Sequence, residues 1–154
     1  MSEEDAAALF AGVVGGTKRG ILAPFRRGAS DFESGEGVKL INSWIAQVVG
    51  TRCSSSTTQG ELLWRTDFGG LIPHARHRNN DDVLEALLNQ WTVDAVARWI
   101  PGVRVTRTVL EQKKDPNGEE TISSLRIFWQ AIARGGQVLG SGDTSVALTA
   151  MGTP

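Results

Sequence analysis

The sequence predicts one small α+β domain, with two main helices packed on a mostly antiparallel sheet that ends in a C-terminal β-meander. Three observations carry that prediction. Apolar residues recur at spacings of three and four in two stretches, around 34–49 and 82–100. Beyond Pro101-Gly102 the period drops to two. Turn-forming residues, above all DPNG at 115–118, separate the alternating runs. A chain of 154 residues buries about 68–70% of its unfolded surface, so a single core suffices.

Residues 1–19 read as a flexible N-terminal arm or short helix, and 20–154 as the domain. The arm's short apolar run follows Glu3, Glu4 and Asp5, whereas a secretory signal needs positive charge there. Those acids instead suit the positive end of a short helix. Gly15 to Gly20 reads as a link, and ILAPFRRGAS as extended, because Pro24 biases Ala23 away from helix. The first helix is expected from about Ser34 to Val49, burying Val38, Ile41, Trp44, Ile45 and Val48, with Gly50 as its stop. Thr51 to Gln59 is a polar loop around Cys53.

GELLWRTDFGG, Gly60 to Gly70, is expected as a strand leaving the sheet. Its alternation would place Leu62, Trp64, Thr66 and Phe68 on one face and Leu63, Arg65 and Asp67 on the other, with Arg65 pairing Asp67. LIPHARHRNN follows as a short irregular or helical piece. The long helix then runs from about Asp82 to Ile100. Asp82 and Glu85 fit a capping box, Leu84, Leu87, Leu88, Trp91, Ala95 and Trp99 form the buried stripe, and Glu85, Asn89, Asp94 and Arg98 lie outside. Pro101-Gly102 ends it. VRVTRTVL (103–110) and SSLRIFWQAIA make an antiparallel hairpin that buries Leu125, Ile127, Trp129 and Ala131, and a third strand is expected within 136–148.

Composition narrows the function. Sixteen Lys and Arg against 17 Asp and Glu leave a net charge of -1, which gives no general attraction to nucleic acid or anionic lipid. Lys18, Arg19, Arg26 and Arg27, and farther on Arg76, Arg78 and Arg98, make local basic clusters. The tryptophans sit at helical core spacing and are not interleaved with them for base stacking, so a solvated or protein-binding surface is the better reading. A lone cysteine cannot form an internal disulfide and points to a reducing compartment. No run approaches transmembrane length.

Glu61 and Asp67 are the sharpest candidates for chemistry, as an acid pair near an aromatic wall. Six residues of extended chain would hold them roughly 20 Å apart, while glycosidase pairs stand about 5–9.5 Å apart. His74 and His77 could share a helix face as metal ligands, but Arg76 and Arg78 repel a cation there. Asp67-Phe68-Gly69 matches the metal-binding corner of protein kinases in letters only, since no glycine-rich phosphate loop or catalytic loop accompanies it. No catalytic residue, metal or cofactor is expected.

Three stretches in order carry a resemblance: APFRRGASDFESGEGVKLINSWIAQVV, GELLWRTDFGG and DDVLEALLNQWTVDAVARWIPGVRV. Together, over roughly Arg19 to Val109, they resemble the gene 25-like (GPW-type) baseplate wedge family of contractile phage tails, with relatives in type VI secretion baseplates and contractile injection systems. The resemblance implies a structural protein and not an enzyme. It implies about six copies per particle, made in the cytoplasm and built into a tail or injection particle. There the family joins the wedge proteins to the hub or tube and seeds the first sheath ring, the sheath protein adding strands to a sheet edge. No specific nucleic acid and no membrane insertion are implied.

Gly60, Glu61, Trp64, Arg65, Asp67, Phe68 and Gly69 stand where the family has its glycine-glutamate and Asp-Phe-Gly landmarks. The family's Glu-Pro-Arg signature, implicated in contact with the wedge core bundle, falls on Ile100, Pro101 and Gly102, of which only the proline matches. Arg104 is the nearest substitute for the missing positive charge. The family has also carried a lysozyme label, which makes a peptidoglycan-degrading enzyme of the tail the alternative.

Overall fold

The computed structural model describes residues 19–22, 34–75, 82–114 and 121–148. Strands β1 (Arg19–Ile21) and β2 (Ser34–Glu36) form a small antiparallel pair. Helix α1 (Gly37–Gly50), a 3-10 turn (Ile72–Ala75) and helix α2 (Asp82–Trp99) follow. Strands β3 (Val103–Lys114), β4 (Thr121–Ile132) and β5 (Val138–Ala147) make a three-stranded antiparallel meander in the order β3-β4-β5. The α+β class and the C-terminal meander are therefore as the sequence predicts. The arm over 1–18, the Pro24 segment with Arg26 and Arg27, the run 76–81 with His77, and the DPNG turn lie outside the described residues.

Strand β4 is the floor of the core. Leu125, Ile127, Trp129 and Ala131 are each no more than 1% exposed, the four inward positions that alternation assigns. Both helices seat on this face, α1 over β5 and α2 over β3. From α1 come Leu40, Ile41, Ile45, Val48 and Val49; from α2 come Leu84, Leu88, Ala95 and Val96. Each large side chain buried this way contributes about 1.5–3 kcal/mol relative to leaving it in water.

Two polar ties fix the helices on the floor. Trp129 Nε1 donates to Asn42 Oδ1 of α1 at 2.7 Å, which satisfies the indole inside an apolar setting. Thr108 Oγ1 of β3 bonds Asn89 Oδ1 of α2 at 3.0 Å. Gly142 of β5 completes the fit: a Cβ there would stand 2.8 Å from Trp129 Cζ2 and 3.0 Å from Val38 Cγ1. The missing side chain is the space the tryptophan occupies.

Several expected boundaries move. Helix α1 starts at Gly37, not Ser34, because Ser34–Glu36 pairs with Arg19–Ile21 and Gly37 turns the chain at φ +60. Arg19 and Gly20 pair with Glu36 and Gly35, and Arg19 Nε reaches Glu36 Oε2 at 4.0 Å. Val38, expected in the core, is 45% exposed, since the real stripe runs through Leu40 and Val49. The helix stop comes from Thr51, whose N–H and Oγ1 both donate to the Gln47 carbonyl, and not from Gly50.

In α2 the buried stripe includes Thr92 and Val96, while Leu87, Trp91 and Trp99 are only partly covered. Thr92 is tolerated at 0% exposure because its hydroxyl donates to the Leu88 carbonyl at 2.6 Å. Asp82 is already helical, so it sits in the first turn beside Glu85 and is not the cap residue. Strand β3 runs on to Lys114, and a bulge between Val105 and Arg107 shifts its phase. Thr106, the extra residue, answers the disrupted ladder by donating its hydroxyl to the Phe128 carbonyl at 3.2 Å.

Replacing Ile127 by Ala should lower unfolding free energy by about 2–5 kcal/mol in urea titration, with the slope of the transition unchanged. A loss below about 1 kcal/mol would contradict the placement of β4 under both helices.

Candidate assembly surface

GELLWRTDFGG is not a strand. It folds as successive turns: Arg65 N–H donates to the Leu62 carbonyl at 3.2 Å and Phe68 N–H to the Arg65 carbonyl at 3.1 Å. The turns hang on the preceding loop. Ser54 N–H donates to the Thr66 carbonyl at 2.7 Å, Glu61 N–H to the Arg52 carbonyl at 2.8 Å, and Cys53 and Thr51 exchange bonds with Gly70. Glu61 Oε2 accepts from the Arg52 N–H at 3.1 Å. His74 Nε2 lies 3.1 Å from the Cys53 carbonyl and ties the 3-10 turn to the same loop.

Two of the landmark glycines have a steric reason. A Cβ at Gly60 would run into the Thr66 carbonyl, and one at Gly69 into the Thr51 carbonyl; Gly69 also holds φ +105, which side-chain-bearing residues rarely adopt. The backbone segments approach so closely that only glycine fits. Gly69 therefore bends a loop here and not the end of a strand.

Beneath these turns lies the C-terminal end of α2. Phe68 and Trp99 stack with centroids 5.0 Å apart at 56°, and the Arg65 guanidinium lies 4.8 Å above Trp99 and 5.9 Å from Phe68. Arg98 takes the other partner, reaching Asp67 Oδ2 at 3.4 Å while standing 5.1 Å from the Trp99 ring. The expected Arg65–Asp67 pair is therefore replaced by an Arg65–Trp99 stack and an Arg98–Asp67 ion pair. The cause is the chain's reversal at each turn, which removes the shared strand face. Leu63 and Trp64 end outside, 74% and 83% exposed. The sequence held a signal for this, since Leu62-Leu63-Trp64 is three apolar residues running and cannot alternate.

The helix-end positions adjoin the cluster in the chain. Ile100 is 3% exposed and belongs to the core, whereas Pro101, Gly102 and Arg104 are exposed. Glu61 and Asp67 each engage a separate partner, the Arg52 N–H and Arg98. Among the described residues no group of three or more His, Cys, Asp or Glu could hold a metal ion, and no helix is long and apolar enough to cross a membrane.

Among the described residues β3 and β5 are the edge strands of the meander, and the two differ in character. On β3, after the bulge, Arg107 and Glu111 put charge along the strand. On β5, Gly140 to Ala147 runs regularly after an irregularity at its start, and its one charge, Asp143, is held by Arg126 at 2.9 Å. Charged side chains, lysine especially, are what guard a sheet edge; β5 lacks them. On the face away from the helices, Phe128 lies between Arg107 at 4.5 Å and Arg126 at 5.1 Å. The hydrogen bond to Asp143 and the neighbouring Glu111 carboxylate hold Arg126 charged even more firmly than usual.

No family model matches the chain, and no curated protein matches it. Among solved structures it is similar to a chain of the cryo-EM structure of the anti-feeding prophage (AFP) baseplate, 6-fold symmetrised. The TM-score is 0.53 at 13% identity, over 85% of this chain and 86% of that one. The two share a fold.

Gly69→Ala should cost about 2–3 kcal/mol, because a disfavoured φ and a backbone clash coincide. Gly136→Ala, at φ +82 but with nothing within 4 Å, should cost only about 1–2 kcal/mol by chemical denaturation. Equal losses would refute the close approach at Gly69. Burial pushes the Cys53 thiol above its ordinary pKa, so little thiolate exists at neutral pH. Iodoacetamide should therefore alkylate it more slowly at pH 8 than an unfolded-chain cysteine, and faster as pH rises further. A rate matching that of the urea-unfolded chain would count against this placement.

Proposed function

We propose that the chain is a structural baseplate component of a contractile tail or injection system, of the gene 25-like kind. It joins wedge proteins to the hub or tube region and initiates the first sheath ring. The observation that carries this reading is the fold likeness to an AFP baseplate chain over most of both lengths. The ordered landmarks Gly60-Glu61 and Asp67-Phe68-Gly69 support it, since the glycines sit where the backbone leaves no room for a side chain.

Sheath docking uses the β5 edge. An incoming extended segment gains main-chain hydrogen bonds along Gly140 to Ala147 without displacing a guarding charge, and its alternate side chains set specificity. Exposed Val38, beside Gly142 on the helix side, gives that segment an apolar seat. Wedge contact falls to Pro101, Gly102 and Arg104, with Ile100 serving the core behind them. Six copies around the hub follow from the same reading.

The test is purification of the particle from the producing cell, beside a peptidoglycan assay of the isolated chain. Stable recovery of the chain in baseplates without hydrolysis is expected. Failure to associate with any tail or injection particle would sink this function, and hydrolysis lost on replacing Glu61 or Asp67 would establish the enzyme instead. Within the particle, amide exchange in β5 should slow relative to the free chain, while β3 changes less. The reverse pattern would move strand addition to the other edge.

A further inference from the structure

We infer that the Leu63–Trp64 corner is a docking knob that seats in an apolar pocket of a neighbouring protein, with carboxylates on the pocket's rim. The inference rests on the proposed assembly role for where that neighbour is found.

The first support is chemical misplacement. The Arg65 to Leu62 hydrogen bond makes Leu63 and Trp64 the two corner residues of a β-turn, positions that favour Pro, Asp, Asn, Ser and Gly. Here they hold the two most exposed large apolar side chains among the described residues. Neither stabilises the free subunit by burial, and nothing in the turn's geometry calls for them. An exposed tryptophan with an arginine next in line is instead the composition of an interface hot spot, and Leu63 adds apolar area beside it.

The second support is preorganisation. Backbone bonds from Ser54 and Glu61 hold the turns to the preceding loop, and the Arg65–Trp99–Phe68 stack anchors their base on α2. The knob therefore gives up little freedom on docking, the usual cost that weakens loop-borne contacts.

Charge decides the rim. Among the described residues, neither Arg65 nor Arg52 has an ion-pair partner, while the nearby acids are already engaged, Glu61 by the Arg52 N–H and Asp67 by Arg98. The guanidinium of Arg65 stands 4.8 Å from the Trp99 ring and, among the described residues, pairs with no carboxylate, so its N–H groups suit an incoming one. The complementary surface is thus an apolar pocket bordered by Asp or Glu.

Hydroxyl-radical oxidation of Trp64, read by mass spectrometry in the isolated full chain and in the purified particle, tests the inference. Trp64 should react freely in the isolated chain and about ten-fold or more slowly in the particle. Trp64→Ala should leave the unfolding midpoint unchanged yet lower incorporation more than about ten-fold against competing wild-type chain. Arg65→Glu should lose more incorporation than Arg65→Lys, which keeps the charge but not the fork. A photo-cross-linker at position 64 should mark a different polypeptide.

Presence of the chain in the particle with Trp64 still oxidised at the free rate overturns the knob alone. Protection of Trp64 in the isolated chain, or cross-linking to a second copy, overturns it also. Equal incorporation of Arg65→Glu and wild type overturns the acidic rim. Absence of the chain from every particle sinks the assembly role and this inference together.

Discussion

Everything in the molecule is hung from the inner face of β4. Trp129 is the largest side chain on that face, and it is buried on all sides: Asn42 takes its N–H, Gly142 makes room for its ring, and the helices close over it. The hydrogen bond matters as a constraint more than as a source of energy, because an indole N–H buried without an acceptor costs about 1–3 kcal/mol. It sets where α1 can lie along the sheet. Once α1 is placed, the loop leaving it at Thr51 and the end of α2 are brought to the same side.

That meeting explains why chemistry-bearing residues collect in one place. Arg65, Asp67 and Phe68 come from the turns, Arg98 and Trp99 from the last turn of α2, and their contacts cross a sequence gap of some thirty residues. The cluster joins two segments of the chain. Its arginines are used differently, Arg65 over aromatic rings alone and Arg98 also in an exposed ion pair, and pairs of that kind contribute about 0–1 kcal/mol. Stacking and the glycine close approaches hold the loop; the ion pair orients it.

Periodicity made the meander legible, since Leu125, Ile127, Trp129 and Ala131 alternate without interruption and every one is buried. The long helix was legible at Leu84, Leu88 and Ala95, whereas Val96 fell outside the expected stripe, Leu87, Trp91 and Trp99 are only partly covered, and Thr92 hides a core position because its hydroxyl's partner is a carbonyl one turn back. Two kinds of feature were not legible. Ser34–Glu36 pairs with a strand thirteen or more residues earlier, and no local pattern in three residues announces that. GELLWRTDFGG shows apparent alternation at its Arg65-Thr66-Asp67-Phe68 end, yet the deciding fact is the nearness of Thr51 and Thr66 backbone to Gly69 and Gly60, a tertiary constraint. The landmark residues were found as letters, and their geometric meaning came only with the fold.

The inequality of the two sheet edges limits how such a subunit can polymerise. Identical copies stacking side by side into a fibre would need a permissive edge at both ends of the sheet, each copy offering β3 to the β5 of the next. Charge along β3 interrupts that relay after a single junction. Side-by-side growth of identical sheets is thereby disfavoured, even where many copies of the chain are held close together.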